Sequence, residues 1–90
     1  MQKEKSQEIL EDDELIEDIK GLVLYNDDYN TFDFVIETLI EVCEHTPEQA
    51  EQCAMITHYK GKCTIKEGDY YLLKPKKEEI NQRGMNSMIE

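Results

Sequence analysis

Three residues with short acceptor side chains, Asn26-Asp27-Asp28, follow the apolar run Gly21-Leu22-Val23-Leu24-Tyr25 and precede an apolar stretch that opens at Phe32. An amide and two carboxylates at such a junction form a polar rim beside an apolar face. That rim suits a ligand cationic at one end and apolar at the other, because carboxylate and amide oxygens accept from N–H donors. Read alone, the same residues also make an ordinary turn. The other candidates for chemistry are His45, His58, Cys43, Cys53 and Cys63. They include no C-x-x-C or H-x-x-x-H pair, the spacing that brings two ligands to one ion, so no metal site is expected. A Cys-His nucleophile needs a thiol beside His58, whereas Cys43 and Cys53 fall in apolar helical patterns that favour inert thiols. Asp27 and Asp28 are adjacent in sequence, and acid/base catalysis needs carboxylates that face each other across a substrate. Neither enzymatic reading therefore has the residue arrangement it needs, and no cofactor is expected.

The elements that must position these residues are legible as patterns. Gly21 to Tyr25 is a β-prone run stopped by the turn formers Asn26, Asp27 and Asp28. Asn30 or Thr31 can cap a helix, with Asp33 in its first turn favoured by the helix dipole. Phe32, Val35, Ile36, Leu39, Ile40 and Cys43 recur at helical spacing, which predicts one broad buried face. Thr46-Pro47-Glu48-Gln49 is a capping box with proline at the first helical position. Ala50, Cys53, Ala54, Ile56 and Thr57 then supply a face of smaller residues, and Gly61 is placed to end the helix in the left-handed conformation. Lys62 to Glu67 alternates as a half-buried strand. Asp69 can cap a third helix running towards Arg83, with Pro75 expected to kink it or to mark its start, and Met85 to Glu90 can close the sheet. The expectation is a small single α+β domain of order β-α-α-β-α-β. Its three helices pack on a three-stranded, mainly antiparallel sheet.

A chain of 90 residues fits one domain, here assigned to residues 21–90, preceded by an acidic extension over 1–20. The extension carries Glu11-Asp12-Asp13-Glu14 with scattered aliphatics such as Leu15 and Ile16, and reads as a flexible leader. A net charge of -11 argues against nucleic acid and anionic membrane surfaces and favours basic or cationic partners. No apolar run approaches the roughly 20 residues of a membrane span. The charged N-terminus lacks the apolar core of a secretory signal, so the cytoplasm and three reduced cysteines are expected.

Asn26-Asp27-Asp28-Tyr29 ahead of a helix containing Phe34-Val35, followed by His58-Tyr59-Lys60-Gly61-Lys62, resembles the ClpS family of Clp protease adaptors. The likeness covers the chain from Leu22 onward. It implies an adaptor that binds N-degrons, substrates whose first residue is large and hydrophobic. The adaptor hands them to the N-terminal domain of a ClpA- or ClpC-type AAA+ unfoldase for degradation by ClpP. It further implies that Asn26, Asp28 and His58 hold the substrate α-amine. Asn30, Phe32, Val35, Ala54, Thr57 and Met85 would surround its side chain, and the adaptor would act as a monomer. The segment after Lys62 departs from the family pattern by being shorter than in the best-known members, and four positions depart as well. Asn30-Thr31-Phe32 stands where Thr-Pro-Met is common, and Ala54 where methionine is common, which predicts a reshaped pocket. The other reading is an acidic interaction domain that recruits a basic partner without recognising an N-terminal residue.

Overall fold

A computed structural model describes residues 18–90, so the expected leader lies almost wholly outside the described residues. The chain folds as β1 (Lys20–Tyr25), α1 (Phe32–Cys43), α2 (Pro47–Lys60), β2 (Lys62–Gly68), α3 (Tyr70–Gln82) and β3 (Asn86–Ile89). The sheet has the order β2-β1-β3, and both pairings are antiparallel. No helix among the described residues is long and apolar enough to cross a membrane.

Local signals start and stop the helices. Thr31, not Asn30, caps α1 by accepting the Phe34 N–H at 3.1 Å, which leaves Asn30 free for another role. Thr46 and Gln49 form the reciprocal capping box of α2, and Gly61 ends it at φ 93°. Asp69 caps α3 through the Leu72 N–H. α3 begins at Tyr70, so Pro75 does not mark its start. The helix passes through Pro75 on an exposed face, where water can reach the carbonyl that lacks its N–H partner.

Leu22 and Leu24 of β1 meet Leu39, Cys43, Ala50, Ile65, Leu73, Ile80 and Met85 in one core. Two expected core residues depart. Ile56 is 41% exposed because it sits more than a quarter-turn from the Ala50–Ala54–Thr57 stripe that α2 buries. Phe32, at the first position of α1, is 40% exposed. The β1–β2 register shifts between Leu22 and Val23, so β2 carries one extra residue there, Ile65. The Ile65 carbonyl lies 2.6 Å from His45 Nε2. A carbonyl only accepts, so Nε2 carries the proton and His45 satisfies the bulge from the α1–α2 connection.

Candidate functional site

The polar rim is built at the C-terminal end of β1. Asp27 Oδ1 accepts the Tyr29 and Asn30 N–H groups, each at 2.8 Å, and Oδ2 accepts Asn30 Nδ2–H at 2.8 Å. Partial burial alone would push the Asp27 carboxyl up, but the bonds from Asn30 and Tyr29 together hold it below its ordinary value. Asp27 therefore shapes the turn and leaves the neighbouring Asp28 exposed on the rim. Asn30 Nδ2 also donates to the Gly84 carbonyl at 3.0 Å, which braces the segment that delivers Met85.

This arrangement has a measurable consequence. A carboxylate whose folded pKa is depressed stabilises the fold above its unfolded pKa, and that stability is lost as pH falls through the folded value. Asp27→Ala is expected to cost about 1 kcal/mol at neutral pH, as loss of a capping side chain does. Thermal melts should then show the wild-type advantage shrinking below about pH 4. An advantage that persists undiminished in acid would refute this role.

α2 comes to the same rim because the Asn26 N–H donates to the Gly61 carbonyl at 2.9 Å, tying the β1 exit to the end of that helix. His58, in the last turn of α2, is exposed, and its ring meets Tyr59 edge-on with centroids 4.9 Å apart. Behind the rim lie Thr57, next to His58 in the chain, and Ala54, one turn earlier, both buried. The Thr57 hydroxyl donates to the Cys53 carbonyl at 2.8 Å. Met85, 4% exposed, closes the far side ahead of β3. Its position is held by Asn81, whose Oδ1 accepts both Ser87 N–H and Ser87 Oγ–H at 2.9 Å.

Between these parts lies a cavity of about 590 Å³. The structure brings all the sequence-derived candidates to it: Asn26, Asp28 and His58, with Asn30, Phe32, Val35, Ala54, Thr57 and Met85. Leu24, Tyr25, Asp27, Met55 and Tyr59 also line it. Sequence reasoning singled out none of Leu24, Tyr25, Met55 and Tyr59 as a site residue. Leu24 reads as strand core, and Met55 and Tyr59 fall off the apolar stripe of α2, where nothing local separates a wall residue from a surface one. The cavity is within the size range of small-molecule pockets, and both polar acceptors and apolar side chains line it.

The remaining candidates stand apart from this cavity. Cys43 is pushed up to about 11 by burial, and Cys63 to about 12 by burial and by the adjacent Cys53. Such thiols are poor nucleophiles. Among the described residues no group of three or more His, Cys, Asp or Glu side chains is placed to hold a metal ion.

Comparison with known proteins follows the same lines. Residues 20–88 match the family model of the ATP-dependent Clp protease adaptor protein ClpS. The ClpS adapter of Nitratidesulfovibrio vulgaris strain Miyazaki F is 42% identical over 55 residues, covering 60% of this chain and 55% of that protein. The chain thus spans little more than half the length of that relative. The Salmonella arizonae ClpS adapter is 30% identical, with 87% of this chain and 83% of the relative covered. Among solved structures, Agrobacterium tumefaciens ClpS2 bound to L-phenylalaninamide shares the fold at a TM-score of 0.78 and 20% identity. That match covers 81% of this chain and 95% of the other.

Proposed function

Because the chain belongs to the ClpS family of ATP-dependent Clp protease adaptor proteins, we propose that it binds the free α-amine and large hydrophobic first side chain of N-degron substrates. The observation that supports this reading is that Asn26, Asp28 and His58 all line one cavity shared with Phe32, Val35, Ala54 and Met85. An α-ammonium is a short cation with three N–H donors. The Asn26 oxygen, the Asp28 carboxylate and an unprotonated nitrogen of His58 supply what it lacks. A charge-assisted hydrogen bond contributes roughly 1.5–3 kcal/mol. Burial of a Leu- or Phe-sized side chain contributes roughly 1.5–3 kcal/mol. Neither alone offsets the cost of association, so both ends of the ligand must be recognised. L-Phenylalaninamide, the ligand named for Agrobacterium ClpS2, carries the same two features, a free α-amine and an aromatic side chain.

On this reading residues 21–90 are the recognition module and 1–20 an accessory leader. The protein acts as a cytoplasmic, non-catalytic monomer. It delivers its cargo to the N-terminal domain of a ClpA- or ClpC-type unfoldase, upstream of ClpP. The acidic surface assists by drawing in cationic chain termini.

Fluorescence anisotropy with a labelled peptide beginning in Phe, free or N-acetylated, tests recognition directly. The free peptide is expected to bind at least tenfold more tightly, the loss of one charge-assisted bond at minimum. Equal binding of the two forms would favour an acidic domain that recruits basic partners and would remove the receptor reading. Loading onto the unfoldase is measured separately, by degradation of a Phe-tagged reporter with ClpP present.

A further inference from the structure

Met55 and Tyr59 are large side chains that line the cavity yet remain 45% and 76% exposed. Four residues apart on α2, they lie on one helix face, beside His58 and outside the buried Ala54–Thr57 stripe. Neither belongs to the core. Two large, mostly apolar side chains left open to water at the mouth of a binding cavity mark a contact surface.

We propose that Met55 and Tyr59 form a ledge that receives the side chain of the substrate's second residue and favours a large apolar one. The proposal rests on the α-amine reading of the same site, and its geometry follows from that reading. With the amine held at Asn26, Asp28 and His58 and the first side chain inside the cavity, the peptide must leave over the rim. The second Cα stands 3.8 Å from the first, hence about 5 Å from the bound nitrogen. The His58 ring touches that nitrogen, and the Tyr59 ring centroid lies 4.9 Å from the His58 centroid. A chain that leaves towards α2 therefore brings its second side chain to Tyr59, with Met55 one turn earlier on the same helix face.

Electrostatics sets the direction of exit. The first peptide carbonyl is an acceptor and is repelled by the carboxylates of Asp27 and Asp28, which turns the chain towards α2. An acidic second residue meets the same carboxylates and is disfavoured. A flexible thioether beside an aromatic ring adapts to leucine or phenylalanine alike.

The test uses the full chain and four peptides of common tail beginning Phe-Leu, Phe-Ala, Phe-Asp and N-acetyl-Phe-Leu, compared by anisotropy. The wild-type protein is expected to bind Phe-Leu about fivefold more tightly than Phe-Ala, from partial burial of the added side chain, with Phe-Asp weakest. Met55→Ser and Tyr59→Ser should each bring the Phe-Leu to Phe-Ala ratio towards one, while Met55→Leu keeps it. Both positions are exposed, so the variants retain the fold. Equal binding of Phe-Leu and Phe-Ala by the wild type, or a ratio that survives both serine variants, overturns the ledge. If N-acetyl-Phe-Leu binds as tightly as its free form, the amine reading fails first and the ledge falls with it.

Discussion

Asp28→Ala is expected to weaken binding of a peptide with a free N-terminal phenylalanine by about tenfold to 100-fold, at unchanged melting temperature. The expected loss is that of one charge-assisted hydrogen bond, roughly 1.5–3 kcal/mol. Asp28 is exposed on the rim, so solvent screening places the effect towards the lower end and makes it smaller at high salt. The turn that carries Asp28 is held by Asp27 and Asn30, which is why the fold should not respond. An N-acetylated peptide provides the closing arm of a double-mutant cycle. It should bind the wild type and Asp28→Ala equally weakly, because the group Asp28 recognises is already gone. A similar loss for both peptides would mean that the carboxylate acts through the fold and not on the amine. His58→Ala should likewise weaken binding of the free peptide, while His58→Gln, which keeps an acceptor, should lose less.

Ala54→Met is expected to reorder the preference among first residues. Ala54 is 4% exposed on the cavity wall, and Phe32 of α1 lines the cavity as well. Three further heavy atoms at position 54 project into space that an aromatic first residue would occupy. Forcing extra atoms into an occupied site costs about 1–3 kcal/mol, so affinity for Trp and Phe should drop by about fivefold to 100-fold. Leucine, being shorter, should lose far less. Affinities across N-terminal Leu, Phe, Tyr, Trp, Ile and Val give the ranking. The same ranking in wild type and variant would refute the idea that Ala54 shapes this pocket.

Features decided within a few residues could be read without the structure. Thr46-Pro47-Glu48-Gln49 starts a helix because its hydroxyl and amide satisfy backbone donors three residues away. Gly61 ends that helix because it adopts a positive φ without a Cβ penalty. The candidate site residues were legible in a different way. Asn26, Asp28 and His58 were assigned through resemblance, and the chemistry of an ammonium ligand agrees with the choice. Taken singly, Asn26 to Asp28 remain turn residues, and Asp27 is indeed bonded to its own turn.

Other features depended on partners distant in sequence. The Ile65 bulge and the His45 contact that satisfies it join residues 20 apart. Arg83 bonds Glu79 on its own helix and Glu41 on α1, a bridge that no periodicity announces. Ile56 is apolar at a plausible helical spacing, yet it faces water because the sheet meets α2 along a narrower stripe.

The sequence by itself determined the order of helices and strands, the capping box and glycine stop of α2, and which residue types stand at the β1 exit. Those features follow from backbone dihedrals and hydrogen bonds spanning a few residues. Only the tertiary structure decided that the β1 exit, the last turns of α2 and Met85 enclose one cavity, and that Met55 and Tyr59 stand open at its mouth. Closure of that cavity rests on contacts such as Asn26 to Gly61 and Asn30 to Gly84. Strand register and helix packing set those contacts, and both are properties of the whole chain.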